Sequence, residues 1–198
     1  MCNIADNLIK IYTMNKDKYL SAIIPLLKEE GLGMSMEAVA QKIGVTKKTL
    51  YNRFSSKDQM IEDCLQLISC QFQESLSCMD DSSIPIAKRF EMGVTTLRLY
   101  FKDMSHAFMR DLMKFYPQKA SVNHSAGLVY FEEKIAQNIE LGKKEGVYRP
   151  EIDSGLFAKY ISFSIFSFFQ KEVMMANTYS AGYYFEQVIN FNINALLI

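Results

Sequence analysis

The chain has 198 residues, 49% of them apolar, and its 22 Lys/Arg balance its 22 Asp/Glu. That length and apolar content allow one large domain, or a small domain fused to a larger one, and exclude wholesale disorder. Nine Gly and four Pro are too few for a sandwich or barrel of many short strands, so the composition favours an all-α chain.

Residues 1–14 read as a short extra helix or a frayed arm, with 1–11 as the arm itself. A first helix is expected from Asn15 to Glu30, stopped by Gly31 and Gly33, with Pro25 inside it removing one backbone donor and kinking it. Ser35 is a good N-cap for a second helix carrying Met36, Val39, Ala40 and Ile43 on one face and ending at Gly44. Thr46 caps a third, Lys47 to Phe54. Ser56 caps a long fourth, whose stripe runs through Met60, Ile61, Cys64, Leu65, Ile68, Phe72 and Leu76.

Cys78 to Pro85 reads as a loop, and Pro85 suits the first turn of a fifth helix reaching Lys102. Further helices are expected over Ser105–Tyr116, Val122–Glu145, Ser154–Met175 and Ser180–Leu197. The last two are apolar nearly all round, from Phe157 to Phe169 and from Tyr183 to Leu197, which predicts burial by a partner.

The neutral total hides an asymmetry. Residues 1–57 hold nine Lys/Arg against five Asp/Glu, so the positive charge sits at the front, where a phosphate-facing module needs it. The four cysteines (Cys2, Cys64, Cys70, Cys78) form no C-x-x-C pair and suit a reduced, cytoplasmic compartment. No signal peptide or membrane span is expected: charges break the N-terminal apolar run, and Ile161–Phe169 is too short to cross a bilayer. His106 and His124 lack metal-ligand companions, and no P-loop, G-x-S-x-G or H-E-x-x-H is present. Neither enzymatic activity nor a metal or other cofactor is expected.

The informative stretch is Ser35 to Met60. Two short helices joined at a glycine, the second polar and basic, form the layout that sends a recognition helix into the major groove. Ala40, Gly44, Val45 and Leu50 suit its joint, while Thr46, Lys47, Lys48, Thr49, Tyr51 and Asn52 offer donors to bases and phosphates. Ser56-Lys57 adds a helix end and a charge for a phosphate.

In order and spacing, Gly31, Ser35-Met36, Ala38-Val39-Ala40, Gly44-Val45-Thr46, Thr49-Leu50-Tyr51, Phe54, Ser56-Lys57 and Met60 resemble the N-terminal domain of TetR-type transcriptional regulators. The likeness covers residues 12–72, and Gly142 to Ala158 is more loosely similar to the turn before the penultimate helix of that family. It implies a three-helix DNA-binding domain over 12–58, with its helix-turn-helix at 35–54. A regulatory and dimerisation domain of about five to six helices would follow over 59–198. By position, Tyr51 and Lys57 would contact phosphates, and Thr46, Lys47, Lys48, Thr49 and Asn52 would line the groove, with Ser35 completing the DNA-binding set. Lys48 departs from the small residue common there, and Ile23 beside Pro25 departs similarly.

The resemblance further implies a homodimer on a palindromic double-stranded operator, paired through the last two helices. Phe166, Phe169, Val188, Ile189 and Leu196 are the interface candidates. It also implies a repressor released by a small apolar or aromatic effector, for which Phe90, Phe101, Phe108, Met109, Met113, Tyr130, Phe131 and Phe163 are candidate pocket residues. Two other readings stay open: a DNA-bound protein-interaction factor with no effector, and a small-molecule binder or enzyme whose helix-turn-helix is vestigial.

Overall fold

A computed structural model describes residues 18–116, 125–174 and 181–198; the side chains of 125–126, 166, 168–174 and 181–182 lie outside the description. The described residues form helices and one 3-10 turn, with no strand beyond an isolated antiparallel bridge between Tyr148 and Leu197. The fold is all-α, and it divides into two compact units.

The first unit runs through Ile68 and also takes in Met104–Asn123. Its first helix, α1, is described over 18–30 and buries Leu20, Ile23, Ile24 and Leu27 along one stripe. The helix continues through Pro25, whose ring is exposed, so the proline does not end it. The chain leaves α1 at Gly31 with φ +91°, where the Gly31 N–H donates to Leu27 O at 2.8 Å.

Helix α2 (Met36–Lys42) starts at Ser35, whose Oγ accepts the Ala38 N–H, and buries Met36, Val39 and Ala40. Gly44, at φ +74°, turns the chain into α3 (Lys47–Tyr51), which buries Leu50. Helix α3 stops three residues short of the expected Phe54. There the chain closes with Phe54 N–H donating to Leu50 O at 3.0 Å, and the ring is fully buried.

Helix α4 (Lys57–Ser75) begins with Ser56 Oγ accepting the Gln59 N–H, and its expected stripe from Met60 to Leu76 is buried. The 3-10 turn Leu76–Asp80 follows, taking up the start of what the sequence suggested was loop.

Helix α6 (His106–Phe115) belongs to the first unit, whereas Ser69–Asp103 belongs to the second. Two hydrogen bonds and two buried side chains explain this. The Ser105 N–H donates to Lys28 O at 2.9 Å, and Gly33 N–H donates to Asp111 Oδ2 at 3.0 Å. Phe108 and Leu112 are buried. The compact unit therefore joins α6 to the residues that run through Ile68.

The second unit is built on α5 (Ile86–Lys102), α7 (Ser125–Lys144), α8 (Ser154–Met174) and α9 (Ala181–Leu196). Its core joins Phe90, Val94, Leu97 and Phe101 to Phe131, Ile135, Ile139, Ile161, Ile165 and Phe185. The turn into α8 packs the Tyr148 ring on Gly142, where any Cβ would collide with it. Tyr148 Oη donates to Asn138 Oδ1 at 3.3 Å, and Asn138 Nδ2 donates to Ile86 O at 3.1 Å. This buried chain ties three segments together without leaving a polar atom stranded.

Candidate nucleic-acid interface

Two caps set the geometry of α2 and α3. Ser35 and Thr46 each hold extended backbone and accept a first-turn N–H, and the Thr46 and Thr49 hydroxyls share a hydrogen bond of 2.8 Å. The hydroxyls of Ser35 and Thr46 are thus already occupied in organising the helices.

The remaining face of α3 is exposed: Lys47, Lys48, Tyr51 and Asn52 all reach solvent, with Tyr51 at 44% exposure. The Tyr51 phenol is open to solvent, whereas Leu50, its neighbour, is fully buried. Lys47 Nζ lies 5.6 Å from the Tyr51 ring centroid and pairs with Glu37 of α2. The side chains of Lys48, Asn52 and Lys57 make no hydrogen bond or ion pair among the described residues.

Reading the sequence alone missed two participants. Glu37 lies across the turn from Lys47, and Arg53 stacks 5.7 Å from the Tyr19 ring centroid of α1. The acidic first turn of α2 is visible as a pattern, but nothing local says which lysine it meets.

With two short capped helices, a glycine joint and an exposed basic face, residues 20–64 match the family described as bacterial regulatory proteins, tetR family. Over those 45 residues the chain is similar to the tetR family. A relative outside the solved structures is an uncharacterized HTH-type transcriptional regulator, YvaF of Bacillus subtilis, 24% identical over 100 residues. That match covers 50% of this chain, and the chain spans only about half (53%) of YvaF.

Among solved structures, the fold resembles the ketosteroid transcriptional regulator KstR2 of Mycobacterium tuberculosis, with TM-score 0.62, 15% identity, and 93% of this chain and 95% of that one covered. It also resembles the fatty acid degradation regulator FadR of Bacillus halodurans, with TM-score 0.67, 16% identity, and coverage of 89% and 93%. At such identities the likeness shows a shared fold. The matched family is described as regulatory proteins, and YvaF, KstR2 and FadR are each named as regulators rather than enzymes.

The candidate pocket residues fall in both units. Phe108, Met109 and Met113 belong to the first unit; Phe90, Phe101, Tyr130, Phe131 and Phe163 belong to the second. Met113 and Phe163 are 54% and 69% exposed, whereas Phe90, Phe101, Phe108 and Phe131 are core. Met109 and Tyr130 are half-buried.

The interface candidates also separate. Leu196 is fully buried within its own chain and offers no surface to a partner, which corrects its assignment. Val188 and Ile189 are half-buried, and the side chains of Phe166 and Phe169 lie outside the described residues. In their place α8 exposes Leu156, Tyr160 and Phe163, and α9 exposes Tyr183 and Phe191. His106 is exposed and His124 lies outside the described residues, as does Cys2. No described helix is long and apolar enough to cross a membrane.

Proposed function

We propose that the protein is a sequence-specific, cytoplasmic DNA-binding transcriptional regulator, acting as a homodimeric repressor on a palindromic operator. The observation that carries this reading is the exposed α3 face, where Lys47, Lys48, Tyr51 and Asn52 stand free of the core on a capped helix-turn-helix. Tyr51 and Lys57 take phosphates; Lys47, Lys48 and Asn52 reach base edges, with Ser35, Thr46 and Thr49 shaping the two helix ends.

Dimerisation is supported by the exposed apolar side chains of the last two helices. Leu156, Phe163 and Phe191 are each more than two-thirds exposed, a pattern that a second copy would cover. The effector is a small apolar molecule. Its support is the aromatic content of the second unit and the names of two structural neighbours, which refer to ketosteroids and fatty acid degradation.

One observation favours a second reading, a DNA-bound protein-interaction factor without an effector. Phe90, Phe101 and Phe131 are already covered by the chain's own core.

Selection of duplexes from a random DNA library by the purified protein tests the main reading. A palindromic consensus whose binding falls with salt is expected, and recovery of no consensus would contradict it.

A further inference from the structure

Two lysines stand side by side at the start of α3, and the structure treats them differently. Lys48 is exposed and unpaired among the described residues. Lys47 is held by Glu37, an acidic residue in the first turn of α2, with the two side chains 58% and 51% exposed. The contact is felt on both sides: the Lys47 hydrogen bond holds the Glu37 carboxyl below its usual range, and Glu37 raises the Lys47 ammonium. The same ammonium stands over the Tyr51 ring, so Glu37 fixes a cation at the centre of the candidate interface.

We propose that Glu37 is a specificity-determining residue of this interface, whose carboxylate competes with DNA phosphates for Lys47. The inference rests on the DNA-binding reading above. Binding to arbitrary DNA is driven almost entirely by cations displacing counterions from phosphates. A lysine paired with a carboxylate joins that process only by leaving its partner, and it then strands a negative charge beside the phosphates. The pair is exposed and individually weak. A weak competitor is enough, because specificity is a ratio of two affinities and not an affinity.

On a preferred sequence the pair stays closed. An ammonium has three donors, so Lys47 keeps one on Glu37 and offers another to a base acceptor in a fixed direction. Glu37 thus weakens arbitrary binding while leaving the read-out contact in place.

The test uses the full chain and two fluorescein-labelled duplexes of about 20 base pairs, one scrambled and one selected from a random library. Anisotropy titrations run from about 50 to 200 mM KCl, the range over which phosphate contacts are read. Glu37→Gln should tighten binding to the scrambled duplex by about two- to five-fold, steepen its salt dependence by about one counterion, and shrink the ratio between the two duplexes. In a Lys47→Ala background the same substitution should lose most of its effect, and Glu37→Asp, which keeps the charge, should behave like the original protein.

An unchanged scrambled-duplex affinity and slope in Glu37→Gln would overturn the proposal. So would a gain of the same size in the Lys47→Ala background, since Glu37 would then act by general repulsion. An original protein that selects no sequence and binds DNA without salt dependence would instead remove the DNA-binding reading, and this inference with it.

Discussion

The buried carboxylate of Asp111 on α6 accepts the Gly33 N–H at 3.0 Å, joining positions 78 residues apart at the turn that leads into the helix-turn-helix. Its other oxygen takes the Arg110 guanidinium at 3.0 and 3.1 Å, so Asp111 is both satisfied and charge-compensated. The same oxygen that meets Gly33 stands 2.6 Å from where a Cβ on Gly31 would be.

Asp111→Ala should therefore destabilise the first unit by about 1–3 kcal/mol, the range for losing a buried charged acceptor. Asp111→Asn, which keeps an acceptor, should cost less. Urea unfolding followed by far-UV circular dichroism checks this, and a midpoint unchanged in Asp111→Ala would show that the turn is held by other contacts.

Gly31→Ala should cost more than about 1 kcal/mol, because a side chain at φ +91° is strained and also meets Asp111. Gly44→Ala shares the positive φ, +74°, but has open space around its Cβ, so it should be the milder of the two. Thermal melts of the pair separate strain from collision.

The cysteines should react in a fixed order. Burial pushes the Cys64 thiol up to about 12, while Cys70 and Cys78 are half-exposed. At pH 8 a thiol with that pKa is thiolate in roughly one molecule in ten thousand, so Cys64 should stay unmodified by iodoacetamide while the fold is intact. Mass spectrometry of the alkylated native protein reads this, and rapid labelling of Cys64 would show an opening of α4.

Much of this was legible in the sequence because the signals are local. Ser35, Thr46 and Ser56 cap the helices they precede, and Gly31 and Gly44 take the positive φ that ends or turns the chain. The apolar stripe of α4 from Met60 to Leu76 is buried as its spacing required.

Contacts between distant segments left no such trace. Asp111 reads as one more charge on an amphipathic helix until α6 is placed against Gly33. Glu37 meets Lys47 only because the Gly44 turn brings two helix starts together. Leu196 lies on a helix apolar nearly all round, and periodicity alone could not say that it faces its own chain while Phe191 faces outward.

Self-association should depend on that outward set. Phe163→Glu or Phe191→Glu places a charge where 69% or 68% of an aromatic side chain is exposed, and neither change should disturb the monomer core. Sedimentation velocity at micromolar concentration should show a dimer for the original chain and a shift toward monomer for either variant. A monomeric original chain would contradict the homodimer.

The central claim, that the exposed α3 face is a DNA interface anchored by Tyr51, is tested most directly by one comparison. Affinities of the original chain and Tyr51→Ala are measured on the library-selected duplex and on a scrambled one at fixed salt. Tyr51→Ala should weaken both by a similar factor, because a phosphate contact carries no sequence information. Equal affinities for the original and Tyr51→Ala proteins on both duplexes would contradict the proposed docking.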